Sequence, residues 1–297
     1  MQNLWNSAIG LLLVTGGLLG LTLPFGKLAA QAGVAPALWA LVISLGAGGV
    51  LLIWMLASGR RVGLDAGRLR YFTIAAAISY AVPNLLMFAA IPHLGAGYTG
   101  IMFTLSPVIT LLLSVLFGVR RPTPLGMAGI AVGFAGALIV AWTRGEAGRP
   151  AELLWVIVGL CIPLSLAAGN IYRTIDWPKD AGTTELAVGS HLAAAAMLVL
   201  VILSRGDFAT AHALAAWPLL VAAQAAASAL MFVFFFRLQA VGGPVYLSQI
   251  GYVAAAVGLL SGVLFLGESY GWVTWLGAAV VTLGIAMTTK AQLPGNA

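Results

Sequence analysis

The sequence predicts an all-α membrane protein, with ten transmembrane helices in two inverted five-helix repeats, and three observations carry that expectation. Charged residues make up 7% of the 297-residue chain and hydrophobic ones 61%, at a mean hydropathy of +1.04, which leaves too little polar surface to face water. Apolar runs of about 18–22 residues recur without a charge, the length that crosses a bilayer core as a helix. Finally, a helical-hairpin pattern occurs twice, from Gly243 to Met287 and more loosely from Gly95 to Val140, as expected of a duplicated unit.

The elements follow in order. The first span, about Asn6 to Phe25, ends at Pro24-Phe25-Gly26-Lys27; the start MQNLWNSAIG has no basic region before it, so this run reads as a span and not as a cleaved leader. The second, Pro36 to Ala57, stops at Arg60-Arg61, and the third opens after Arg68 and Arg70 and runs to about Ile91 with Pro83-Asn84 near its middle. Spans four and five are the earlier hairpin. A polar connector, residues 143–152, separates a first repeat (1–142) from a second (153–297). The sixth span covers about Leu153 to Ile175 and contains Pro163, the seventh about Glu185 to Leu203, and the eighth about Ala215 to Leu238. Nine and ten flank the turn Gly267-Glu268-Ser269-Tyr270. Gly129 and Gly136 match Gly277 and Gly284, each pair on one helix face.

Orientation follows from lysine and arginine. With the N-terminus inside, Arg60, Arg61, Arg68, Arg70, Arg120, Arg121, Arg173, Lys179, Arg237 and Lys290 fall in the cytoplasm, against Lys27, Arg144, Arg149 and Arg205 outside. Both termini are therefore expected to be cytoplasmic, in a cell inner membrane. An odd number of spans per repeat inverts the second repeat relative to the first, a design suited to alternating access.

At the hairpins the chain resembles the EamA-type branch of the drug/metabolite transporter superfamily, on Leu264-Phe265-Leu266-Gly267-Glu268 with Gly277 and Gly284, and on Leu116-Phe117-Gly118 with Ser106-Pro107 in the first copy. The first copy departs from the pattern, with Val119-Arg120-Arg121 in place of a glutamate. The resemblance implies export or exchange of small organic solutes, amino acids foremost, through a cavity between the repeats. Helices one, three, four, six, eight and nine would line it, and the terminal hairpins would pack behind.

Polar side chains at mid-bilayer are costly unless they meet a partner or water, so they mark candidate pathways. The candidate substrate-binding residues are Tyr80, Asn84, Tyr98, Ser106, Asn170, Gln224, Ser228, Tyr246, Gln249 and Tyr252. Tyr80 with Asn84, and Gln224 with Ser228, share helix faces. Pro83 frees a backbone carbonyl one turn earlier, near Ser79 and Tyr80. The small hydroxyls of Thr104, Ser106 and Ser228 read more readily as packing hydrogen bonds, whereas the larger amides of Asn84 and Gln224, with four hydrogen-bonding sites each, favour a functional role. The tyrosines could offer stacking faces to an ammonium.

Other features read structurally. Trp5, Trp39, Trp142, Trp155, Trp177, Trp217, Trp272 and Trp275 fall near span ends and are expected to anchor the interfaces. Glu268 reads as a cap on the tenth helix, Lys27 and Arg237 as snorkelling cations, and His93 and His191 as packing residues. The lone Cys161 offers neither a disulfide nor a metal cluster.

Every acidic residue falls in a loop or at a span end, so the expectation is a facilitator or exchanger rather than a proton-driven pump. No catalytic constellation appears at one depth, so no enzyme and no cofactor is expected. The expected partners are the lipid bilayer and a small organic solute such as an amino acid, with no nucleic acid. A cationic drug is a weaker cargo for want of a membrane carboxylate, and an anion like a nucleotide sugar for want of a mid-depth base.

Overall fold

Each apolar run forms a helix in the computed structural model, which describes Trp5 and residues 7–119, 123–143, 145 and 150–291. Asn6, where the first span is expected to start, and Arg120, Arg121, Arg144, Glu146 and Arg149 lie outside the described residues. The helices are α1 (Ala8–Gln31), α2 (Pro36–Ala57), α3 (Ala66–Leu94), α4 (Ala96–Leu116), α5 (Pro124–Thr143), α6 (Leu153–Ile175), α7 (Thr183–Arg205), α8 (Pro218–Ser248), α9 (Ile250–Phe265) and α10 (Trp272–Lys290). Eight are long and apolar enough to cross a membrane, and α9 and α10 are shorter apolar helices.

Local chemistry sets the helix starts. Ser7 and Asp65 accept from the amides of Gly10 and Arg68 and so cap α1 and α3. Pro36 and Pro218 open α2 and α8, where a missing N–H costs nothing.

The structure corrects the first span. α1 does not stop at Phe25 but runs through Pro24 to Gln31. In lipid a continued helix satisfies the remaining backbone groups, which outweighs the single bond that proline cannot make.

Two glycines articulate the repeats. Gly95 (φ 88°) is the single residue between α3 and α4, and Gly243 (φ 71°) kinks α8. Residues 244–248 thus already belong to the ninth span, which explains why α9 is short. An L side chain rarely adopts such angles.

α5 and α10 pair through glycine. A Cβ on Gly136 would stand 2.5 Å from the Val281 amide nitrogen, and one on Gly284 would stand 2.4 Å from that of Gly133. Backbones that close leave room for no side chain, the small-residue contact expected where lipid removes the hydrophobic drive between helices. Phe134, Leu138, Leu276 and Leu283 stay exposed on this pair, as suits lipid-facing positions.

The main core lies elsewhere, among α1, α2, α3, α7 and α8. It also takes in Trp39, which is only 2% exposed and so packs inside the bundle instead of anchoring an interface. Trp142 and Trp272, in contrast, are exposed.

Gly284→Val is expected to cost at least about 1–3 kcal/mol, since the clash is with backbone that cannot rotate away. Thermal unfolding in detergent would show it, as a lowered midpoint in Gly284→Val beside an unchanged one in Gly271→Val, where a Cβ meets nothing.

Candidate functional site

Between the repeats lies a cavity, whose about 750 Å³ of space free of protein atoms includes open solvent. Both repeats build it, the first through α1, α2, α3 and α4 and the second through α6, α8 and α9. α2 joins through Ile43, an addition to the helices that the resemblance implies. Apolar side chains such as Met231, Phe232 and Phe235 form most of the wall, with a few polar groups set into it.

A distortion in α3 presents the first of these. Residues Ala76–Ala81 form a π-turn, in which the Val82 amide donates to the Ala77 carbonyl. In that register the N–H missing at Pro83 would have gone to Ile78, not to Ser79 or Tyr80 as an α-helical count suggests. The Ser165 hydroxyl of α6 donates to this Ile78 carbonyl at 2.7 Å and satisfies it. The proline therefore tethers α3 to α6, while Ser79, Tyr80 and Asn84 line the cavity. The Asn84 amide makes no hydrogen bond to a described protein group.

α4 breaks at Thr104 and Leu105, ahead of Pro107. Pro107 cannot donate to the Phe103 carbonyl, and a Cβ on Gly251 would lie 2.6 Å from that oxygen. Glycine on α9 is what lets the two broken segments meet at the cavity wall.

Of the residues singled out from the sequence, Tyr80, Asn84, Ser106 and Asn170 line this cavity together. Six do not. The Gln224 amide donates to Ser228 at 2.9 Å along α8, on the part of that helix packed against α2, where a Cβ on Gly46 would strike Ala225. Tyr98 is fully buried, and its hydroxyl donates to the Val140 carbonyl at 2.9 Å, holding α4 to α5. Tyr246 and Tyr252 flank the lining residues Leu247, Ser248, Ile250 and Gly251, and Gln249 falls among these in sequence, but none of the three lines the cavity. His191 is enclosed between the rings of Tyr80 and Phe232.

Arg173 was missed. It counts toward the cytoplasmic charge in the sequence, yet it is 1% exposed and faces the cavity from the last turn of α6. Its Nη2 donates to Asn170 at 2.7 Å and its Nε to Gln239 at 2.9 Å. The ring centroids of Phe235 and Tyr80 lie 5.0 and 5.7 Å away. A base thus faces the cavity, from the end of α6 and not from mid-span. The legible signal was Asn170-Ile171-Tyr172-Arg173, an amide and a cation one turn apart on a helix.

Glu268 and Lys27 are corrected as well. Glu268 is 3% exposed and lies 2.6 Å from the Lys27 ammonium. It accepts from the amides of Ala96 and Gly97 at 2.6 and 2.8 Å and from the Tyr270 hydroxyl. It thus caps α4 instead of the adjoining α10, and Lys27 is paired instead of snorkelling. The carboxylate fits because Gly262 has no Cβ, which would stand 2.2 Å from Oε2.

The architecture can now be set beside known proteins. The model of the EamA-like transporter family matches residues 6–142 and again residues 153–290. The chain belongs to the EamA-like transporter family. It is accordingly a membrane transporter of the drug/metabolite type. A solved crystal structure, described only as that of a protein, aligns with a TM-score of 0.59 and 17% identity over 94% of this chain and 98% of the other. At that identity the likeness shows the shared fold. No curated protein matches the chain.

In this EamA-like transporter the Glu268 cluster sets a pH dependence. Burial pushes the carboxyl upward, but Lys27, Tyr270 and the two α4 amides outweigh it and hold the group below the ordinary glutamate range. A lowered folded-state pKa favours the fold above the ordinary value, and this contribution is lost as pH falls through the lowered one. Lys27→Met is expected to cost about 3 kcal/mol at pH 7, the low end for breaking a buried pair, because Lys27 keeps 14% side-chain exposure. The gap from wild type should narrow as pH falls into and below the ordinary glutamate range and Glu268 protonates, first in the variant that lacks the ammonium, which unfolding midpoints measured against pH would show.

Proposed function

We propose that the protein carries small organic metabolites, amino acids foremost, across a cell inner membrane by alternating access. The observation that carries this reading is the cavity itself, a mostly apolar chamber walled by both repeats and set with a few polar groups. A solute held there touches both halves, so their relative motion can expose it to either side. Gly95 and Gly243, one per repeat, supply the turning points.

The excess of lysine and arginine at one end supports a cytoplasmic N-terminus and C-terminus. In that orientation the Lys27 and Glu268 cluster closes the outer ends of α1, α4 and α9, while Arg173 belongs to the cytoplasmic end of the cavity. No acidic residue is among the described residues lining the chamber, which supports facilitation or exchange in preference to proton-driven pumping.

Counterflow in proteoliposomes tests this. Vesicles loaded with an unlabelled amino acid should accumulate the labelled one from outside, and Asn84→Ala should raise the half-saturating concentration about tenfold, as for loss of about one hydrogen bond to a polar ligand. Failure across a broad amino-acid panel, with folded protein in the membrane, would remove amino acids as cargo. A pH gradient imposed alone should drive no accumulation, and if it did, exchange without proton coupling would be wrong.

A further inference from the structure

Among the described residues that line the cavity, Arg173 is the one that carries a charge. Its two hydrogen-bond partners, Asn170 and Gln239, are amides that occupy N–H groups without cancelling the charge. No carboxylate among the described residues lies within ion-pair distance of it. Nη1 donates to no described protein acceptor. It lies beside Gly169, where a Cβ would come within 3.1 Å of it. The side chain is held in place on several sides, by Phe235 and Tyr80 across its plane and by amides at Nε and Nη2.

A cation this buried is costly while it lacks a counter-charge. The repeat symmetry indicates what is missing. Lys27 lies near the C-terminal end of α1 and Arg173 near that of α6, the first helix of each repeat. Lys27 is neutralised by Glu268, from the turn between α9 and α10. The matching turn of the first repeat has Val119-Arg120-Arg121, with no acid. One cation is therefore paired within the protein, and its counterpart faces a chamber.

We propose that Arg173 is the receptor for a carboxylate on the transported solute. A single unbalanced charge matches a carboxylate better than a phosphate monoester, which brings nearly two, and a guanidinium suits planar carboxylate geometry. The wall beyond it, with Met231, Phe232 and Phe103, fits an apolar remainder. Asn170 and Gln239 act as positioning residues. The cargo is then an apolar acid or zwitterion with a free carboxylate, and cationic solutes are repelled. This rests on the transport reading above and narrows it.

Binding to the purified full-length protein in detergent tests the assignment without requiring transport. The probes are leucine against leucinamide, hexanoate against hexanamide, and hexyl phosphate, with ligand-induced rise of the unfolding midpoint and tryptophan fluorescence as readouts. The acids should bind the wild type at least about tenfold more tightly than the amides. Arg173→Gln should abolish that preference, and Arg173→Lys should keep part of it.

Equal affinity for acid and amide in the wild type would overturn the proposal even if no Arg173 variant folded. So would carboxylate binding unchanged in folded Arg173→Gln, absence of binding by both acids, or tighter binding of hexyl phosphate. Acid-selective binding without counterflow would refute transport and leave the receptor standing, and counterflow of amides unaffected by Arg173→Gln would do the reverse.

Discussion

A hydrocarbon environment offers no water to a stray polar group, so each one exposed by a distortion must find its partner inside the bundle. Much of this structure follows from that demand. Pro83 shifts α3 into a π-turn and releases the Ile78 carbonyl, and α6 answers with the Ser165 hydroxyl. Pro107 breaks α4 and leaves the Phe103 carbonyl facing Gly251 on α9. The first turn of α4 finds its acceptor in Glu268, far along the chain. The helices that border the cavity are thus joined where they are irregular.

The same demand explains what could be read from the sequence and what could not. Helix number, pairing of the hairpins and the glycine repeat were legible because hydropathy, turn residues and spacing are local properties. Tyr80, Asn84, Ser106 and Asn170 were legible as mid-span polar groups, and they meet at one cavity. Gln224 carries the same signal, but its side chain turns along its own helix to Ser228. Gln224 shares a face of α8 with the lining residues Phe232 and Phe235 but lies about two turns nearer the helix start, where α8 packs on α2. Position along the axis therefore separates the two cases, and hydropathy does not report how far along a span the cavity reaches.

Charge was the least legible property. Arg173 sits near a helix end, so counting assigns it to the aqueous side, and Lys27 and Glu268 look like separate interfacial residues. What distinguishes them is tertiary. Lys27 and Glu268 are 241 positions apart in sequence and in contact in space, whereas Arg173 is surrounded by amides and rings. Inverted duplication gave both repeats a cation near the end of their first helix, and only one repeat has the acid to match.

The glycine contact between α5 and α10 reaches beyond stability. These are the last helices of the two repeats, and their backbones approach so closely that sliding by one residue would drive side chains into main chain. The halves of the protein are therefore registered to each other by a molecular keyway, independently of the peptide that links them. Two separately synthesised fragments would carry in that keyway the instruction for finding each other in the bilayer, as the products of an unfused gene pair would need to do.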